Sequence, residues 1–124
     1  MAKISEAESA VMNVLWDEAP LDGEEVAARL KKQKWSRTTV RTLLARLVQK
    51  GAVRQKKAPG RKDQFSPRID RAAYLHAESR NLIDRLFGGK VSPLFAQLAE
   101  REDLTADDIA ELKALIERIE DDRR

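Results

Sequence analysis

A chain of 124 residues, 42% hydrophobic and 36% charged, has room for one domain or for a small domain with an appended helical segment, and it is too apolar for wholesale disorder. It has no cysteine, which excludes disulfides, thiolate metal sites and thiol switches, and its single histidine, His76, assembles no zinc site without carboxylates or a second subunit. The net charge of +3 conceals an asymmetry: residues 1–68 carry 15 Lys/Arg against 8 Asp/Glu, residues 69–124 carry 9 against 13, and from Arg29 to Lys62 there are 13 basic residues and no acid. Such a block repels itself, and a polyanionic partner relieves it. No apolar run is long enough to span a membrane and no start resembles a signal peptide, so the expected location is the cytoplasm, with no membrane insertion.

In chain order, Ser5 with Glu8 reads as a capping box opening a helix through Val11, Met12, Val14, Leu15 and Trp16, which Ala19-Pro20 stops. Asp22 with Glu25 opens a second helix that buries Val26, Ala27 and Leu30 and is expected to end in Lys31-Lys32. A third starts at Ser36, buries Val40, Leu43, Leu44, Leu47 and Val48 at helical spacing, and ends at Gly51 in a left-handed conformation. The period then changes. Ala52–Lys56 and Gln64–Ser66 read as two short strands joined by Lys57–Lys62, where Pro59-Gly60 favours a type II turn. A fourth helix is expected from about Asp70 to Phe87, ended by Gly88-Gly89. Ser92-Pro93 reads as a cap and first helical residue for a short fifth helix. Thr105 with Asp108 opens a sixth, striped by Ile109, Leu112, Leu115, Ile116 and Ile119.

The fold class is therefore mainly α with a small β-hairpin: an N-terminal winged helix-turn-helix over 1–69 and a helical dimerisation segment over 70–124. The third helix is the one placed to enter a DNA major groove, about 12 Å wide. Near its start Arg37, Thr38, Thr39, Arg41 and Thr42 are expected to reach base edges, with Arg46 at the margin of the same exposed face, while Ser36 and the free amides behind it suit a phosphate. An arginine grips guanine through two parallel bonds and a threonine methyl meets the thymine methyl. Lys57, Arg61 and Lys62 at the hairpin tip would lie along the neighbouring backbone. Three amphipathic helices make little core alone, so the apolar contacts Leu82, Leu86 and Phe87, then Leu94, Phe95 and Leu98, then the sixth-helix stripe, are expected to pair two copies. Twofold symmetry in turn suits a palindromic site.

At this point the residues resemble the penicillinase-repressor family of winged-helix transcriptional regulators. The resemblance runs through Ile4–Glu8, Val11-Met12, Leu15-Trp16, Trp35–Leu43, Arg46-Leu47, Lys50-Gly51, Gln64–Pro67, Leu86–Gly89 and Glu102–Thr105. It implies a recognition helix from Ser36 to Lys50 with Thr38, Thr39, Arg41 and Thr42 at the DNA surface, repression by covering promoters, and homodimers joined through C-terminal helices. It also implies relief of repression by a sensor-linked protease that cuts the dimerisation segment. The family's cut falls between asparagine and phenylalanine, and the matching positions here are Gln97-Leu98, a departure. Copper-responsive relatives sense through cysteines, which this chain lacks.

Three rival classes fit these residues less well. His76 has no nucleophile turn, phosphate loop or carboxylate pair around it, so no enzyme and no cofactor is expected. A winged helix serving only as a protein-interaction module would not need the acid-free stretch. Duplex RNA hides its major groove from side chains.

Overall fold

The structure, a computed structural model, describes residues 3–124; residues 1 and 2 of the expected N-terminal domain lie outside the described residues. The chain divides into two compact units, Met1–Leu75 and His76–Arg124.

The first unit starts with α1 (Glu6–Asp17) and α2 (Gly23–Arg29), each opened by the reciprocal box that the sequence announces: Ser5 with Glu8, and Asp22 with Glu25. The second helix stops earlier than expected. Its carbonyl ladder tightens as the Leu30 amide donates to Ala27, and Lys31–Gln33 form a single 3₁₀ turn that ends on Lys34 at a φ of 57°. That turn redirects the chain into α3 (Arg37–Gln49), capped by the Ser36 hydroxyl, which accepts from the Thr39 amide. Gly51, at a φ of 80°, supplies the left-handed residue just past its end.

Two strands follow, β1 (Val53–Lys56) and β2 (Gln64–Pro67), paired antiparallel with Val53 opposite Pro67 and Gln55 opposite Phe65. Between them the Arg61 amide donates to the Ala58 carbonyl at 2.9 Å, and Gly60 sits at a φ of 73°, the positive value the Pro59-Gly60 turn requires. Leu21 adds a bridge the sequence does not disclose. It exchanges backbone hydrogen bonds with Phe65 at 3.1 and 2.7 Å, giving the hairpin a one-residue third rung.

The core of this unit lies where the helices cross. Val11, Met12 and Leu15 of α1, Val26 of α2, and Val40, Leu44 and Leu47 of α3 are almost fully buried, with Val53 closing the β side. The apolar face read at i, i+3, i+4 and i+7 is thus the packed face. The first turn of α4 (Arg71–Phe87) belongs to the same core: Tyr74 is buried, its ring 5.3 Å from that of Trp16 and its hydroxyl 3.0 Å from that of Ser9. The Trp16 indole N–H donates to the Ile69 carbonyl at 3.0 Å, fixing the chain as it enters α4.

In the second unit α4 ends at Gly88 and Gly89, both at positive φ. Then come α5 (Ser92–Glu100) and α6 (Ala106–Asp122), the latter opened by the Thr105–Asp108 box. Ser92 is not the cap the sequence leads one to expect. Val91, already in helical conformation, occupies that position and its carbonyl takes the Leu94 amide, so Ser92 falls inside the first turn and no side chain caps α5. Among the described residues of this unit, Ile83 is the one buried hydrophobic.

Candidate nucleic-acid interface

Burying Val40, Leu43, Leu44 and Leu47 leaves the other side of α3 to solvent, and Arg37, Thr38, Thr39, Arg41, Thr42 and Arg46 are all exposed there. No acid lies on this helix. Its hydroxyls are partly engaged at home. Ser36 Oγ, besides capping, lies 3.0 Å from Thr39 Oγ1, and the Thr42 hydroxyl donates to the Thr38 carbonyl at 3.0 Å. Thr42 therefore spends its hydrogen inside the helix and keeps a methyl and an acceptor for whatever approaches.

Beside this face stands the hairpin, with Lys57, Arg61 and Lys62 exposed around its tip. The Gln55 amide donates to the Asp63 carboxylate at 2.7 Å across the strands, and the Leu21–Phe65 bridge ties the hairpin base to the chain entering α2. Helix and hairpin enclose an open groove of about 400 Å³, walled by Glu24, Arg41, Ala45, Gln55, Lys62 and Phe65.

The long basic stretch is not uniformly unpaired. Four of its cations meet acids that precede the stretch in the chain: Arg29 with Glu18 at 2.7 Å, Lys50 with Glu8 at 2.6 Å, and both Arg37 and Lys62 with Glu24. The Glu18 carboxyl is held below its ordinary value by the Arg29 hydrogen bond, and that of Glu24 chiefly by Lys62. Glu8 is nearly inaccessible. Its Oε1 accepts from the Ser5 amide and from Lys50, whereas Oε2 has no hydrogen-bond partner among the described residues. Arg41, Arg46, Lys57 and Arg61, in contrast, make no ion pair among the described residues. Sequence reasoning assigns Glu8 its capping role and passes over Glu24; nothing local to either residue discloses its distant lysine.

The residues expected to join two copies all fall in the second unit, from the end of α4 onward. Leu82, Leu86, Ile109, Leu115, Ile116 and Ile119 are exposed, while Phe87, Leu94, Phe95, Leu98 and Leu112 are half-buried. Phe95, Leu104, Ile109, Leu112 and Ile116 wall an apolar groove of about 370 Å³ between α5 and α6. Gln97 is exposed and Leu98 half-buried, both within α5. His76 is exposed, and among the described residues no three His, Asp or Glu side chains converge in a way that could hold a metal ion. No helix is long and apolar enough to cross a membrane among the described residues.

The profile of the family described as penicillinase repressor matches residues 4–118. The penicillinase repressor of Bacillus licheniformis is 33% identical over 116 residues, 93% of this chain and 90% of that protein. The methicillin resistance regulatory protein MecI of Staphylococcus aureus is 31% identical over 117 residues, 94% of each chain. Among solved structures, the monomeric form of Bacillus licheniformis BlaI in complex with the blaP half-operator is 39% identical, with a TM-score of 0.51, covering 59% of this chain and 89% of that one.

Proposed function

Because the chain belongs to the penicillinase repressor family, we propose that it is a DNA-binding transcriptional repressor of the cytoplasm that acts as a homodimer on palindromic promoter operators. The observation that carries this reading is the acid-free exposed face of α3, flanked by a cationic hairpin, on a fold whose solved relative is held on a half-operator. With α3 in the major groove, Arg41 faces base edges and Thr42 offers its methyl, because its hydroxyl hydrogen is already spent on Thr38. Thr38 and Thr39 share that reading face; Ser36 and the amides at the start of α3 take the nearest phosphates together with Arg37, which leans to the margin beside Glu24, and Arg46 takes the next along the strand. Lys57, Arg61 and Lys62 add affinity that carries little sequence information.

The binding test is an affinity series against a palindromic promoter fragment and an unrelated duplex, each over a range of salt. Affinity for both falls as salt rises, because neutralised phosphates release counterions, and the palindrome is preferred throughout. Replacing Arg41 with Ala is expected to remove about 1–3 kcal/mol of discrimination at the bases it contacts. An Arg41→Ala protein that ranks sequences as the unaltered protein does would move the reading face elsewhere on α3.

For the homodimer the support is the second unit's own poverty of core. It has one buried hydrophobic among the described residues and a row of exposed isoleucines and leucines. A second copy is the partner that twofold operators favour. Relief by a sensor-linked protease would act on this unit. The matching bond, Gln97–Leu98, lies inside α5, so cleavage there requires that helix to unwind first. Its lack of a side-chain cap lowers the cost of unwinding.

A further inference from the structure

Glu24 sits in the first turn of α2, outside the elements expected to touch DNA, yet its carboxylate joins them. Oε1 faces the Arg37 guanidinium at 3.6 Å, at the start of α3, and Oε2 meets the Lys62 ammonium at the hairpin tip. One carboxylate thus bridges two cations from the two elements that the proposed function lays against the duplex, as the two free oxygens of a phosphodiester would. We propose that Glu24 is an internal competitor of the DNA phosphates: it holds Arg37 and Lys62 in the free protein and gives them up when the duplex binds.

Three observations support displacement over a permanent strut. All three side chains are accessible, Glu24 at 42%, Lys62 at 57% and Arg37 at 74%, so a phosphate reaches the cations without any part of the core opening. Exposed pairs of this kind hold weakly, whereas a duplex presents one charge about every 1.7 Å. And the hairpin does not depend on Glu24 for its seating, since the Leu21–Phe65 bridge and the Gln55–Asp63 hydrogen bond already fix its base and its strands.

The consequence concerns affinity rather than sequence preference. The competitor offsets part of the positive charge at the interface, and once displaced it remains near the phosphates and repels them. Every duplex is therefore bound more weakly, and with a shallower salt dependence, than the cation count alone would give. Since phosphates carry no sequence information, the preference for the operator is left intact. This inference rests on the DNA-binding reading above.

The test is Glu24→Gln in the full chain, measured on the palindromic fragment and on an unrelated duplex between 50 and 200 mM salt. The variant is expected to bind both more tightly, with an unchanged ratio between them. Its salt slope is expected to steepen by about 0.9 for each protomer on the DNA, so its advantage shrinks about 3.5-fold per protomer across that range. A second measurement follows the Glu24 carboxyl by NMR titration. Arg37, Lys62 and Arg41 face it from α3 and the hairpin, with Asp63 across the groove and Asp22 on its own turn. It titrates below the ordinary carboxylate range in the free protein, because of Lys62, and moves upward when the duplex takes that lysine. Weaker binding by Glu24→Gln, an unaltered slope, or a carboxyl titration indifferent to DNA overturns the inference while leaving the repressor reading standing. An unaltered protein that binds no duplex overturns both.

Discussion

A chain carrying Ile116→Asp and Ile119→Asp is expected to sediment as a folded monomer, where the proposed function predicts a dimer for the unaltered chain. Both isoleucines are exposed on α6, at 53% and 44%, so replacing them removes apolar surface available to a second copy. Leu112 lies on the same stripe but is half-buried against the α5 side, and a charge there would damage the unit itself. Burying one such side chain contributes about 1.5–3 kcal/mol, and in a symmetric pair each substitution counts twice. The first unit has its own core, from Val11 to Val53, and is expected to keep its helical signal and its affinity for a half-operator. Affinity for the full palindrome should fall about 10²- to 10⁴-fold, because the second half-site then binds as an independent event. Sedimentation equilibrium together with gel shifts on whole and half sites decides the matter, and a monomeric unaltered chain would dispose of the dimer.

The second large effect concerns the root of α3. Lys50, at its C-terminus, reaches back to Glu8 in α1 at 2.6 Å and also donates to the Lys3 carbonyl at 2.7 Å. The Glu8 side chain is only 3% accessible, and one of its oxygens has no hydrogen-bond partner among the described residues. Lys50→Met keeps the aliphatic stem and removes the charge, leaving a buried carboxylate opposed only by the Ser5 contacts; the expected loss is about 3 kcal/mol of unfolding free energy at neutral pH. Burial pushes the Glu8 carboxyl up, but hydrogen bonds from Lys50 and Ser5 and the lysine charge outweigh it and hold the carboxyl below its ordinary value of 4.5. In the unaltered protein this pair therefore contributes stability above that value and loses it as pH falls through the lower, folded-state one. Without Lys50 its hydrogen bond and its charge no longer oppose burial, Glu8 protonates more readily in the folded state than it does beside the lysine, and the variant's deficit narrows in acid. Urea unfolding at pH 7 and pH 4 measures the difference. An equal deficit at both would mean that the ion pair is not what Lys50 contributes.

Much of the first unit and of the proposed reading face was legible because it is written over three or four residues. A capping box, a left-handed glycine after a helix and a Pro-Gly turn each close within one turn of chain, so Ser5–Glu8, Asp22–Glu25, Gly51 and Pro59-Gly60 carry their geometry with them. The spacing of Val40, Leu43, Leu44 and Leu47 likewise fixes which side of α3 is buried, and so which side Arg41 and Thr42 occupy. Where local signals compete the reading slips: Leu30 leads α2 into a 3₁₀ turn, and Val91 displaces Ser92 at the start of α5.

The amino-acid order by itself determined the elements, their exposed and buried faces and the location of the positive charge. Only the tertiary structure decided which of those charges are already answered. Glu8 meets a lysine 42 residues away, Trp16 a carbonyl 53 residues away, and Glu24 one cation from each of two elements. Such partners are set by the angles at which helices cross and by where a hairpin folds back. Those angles come from the summed packing of the core, which no short stretch of chain contains.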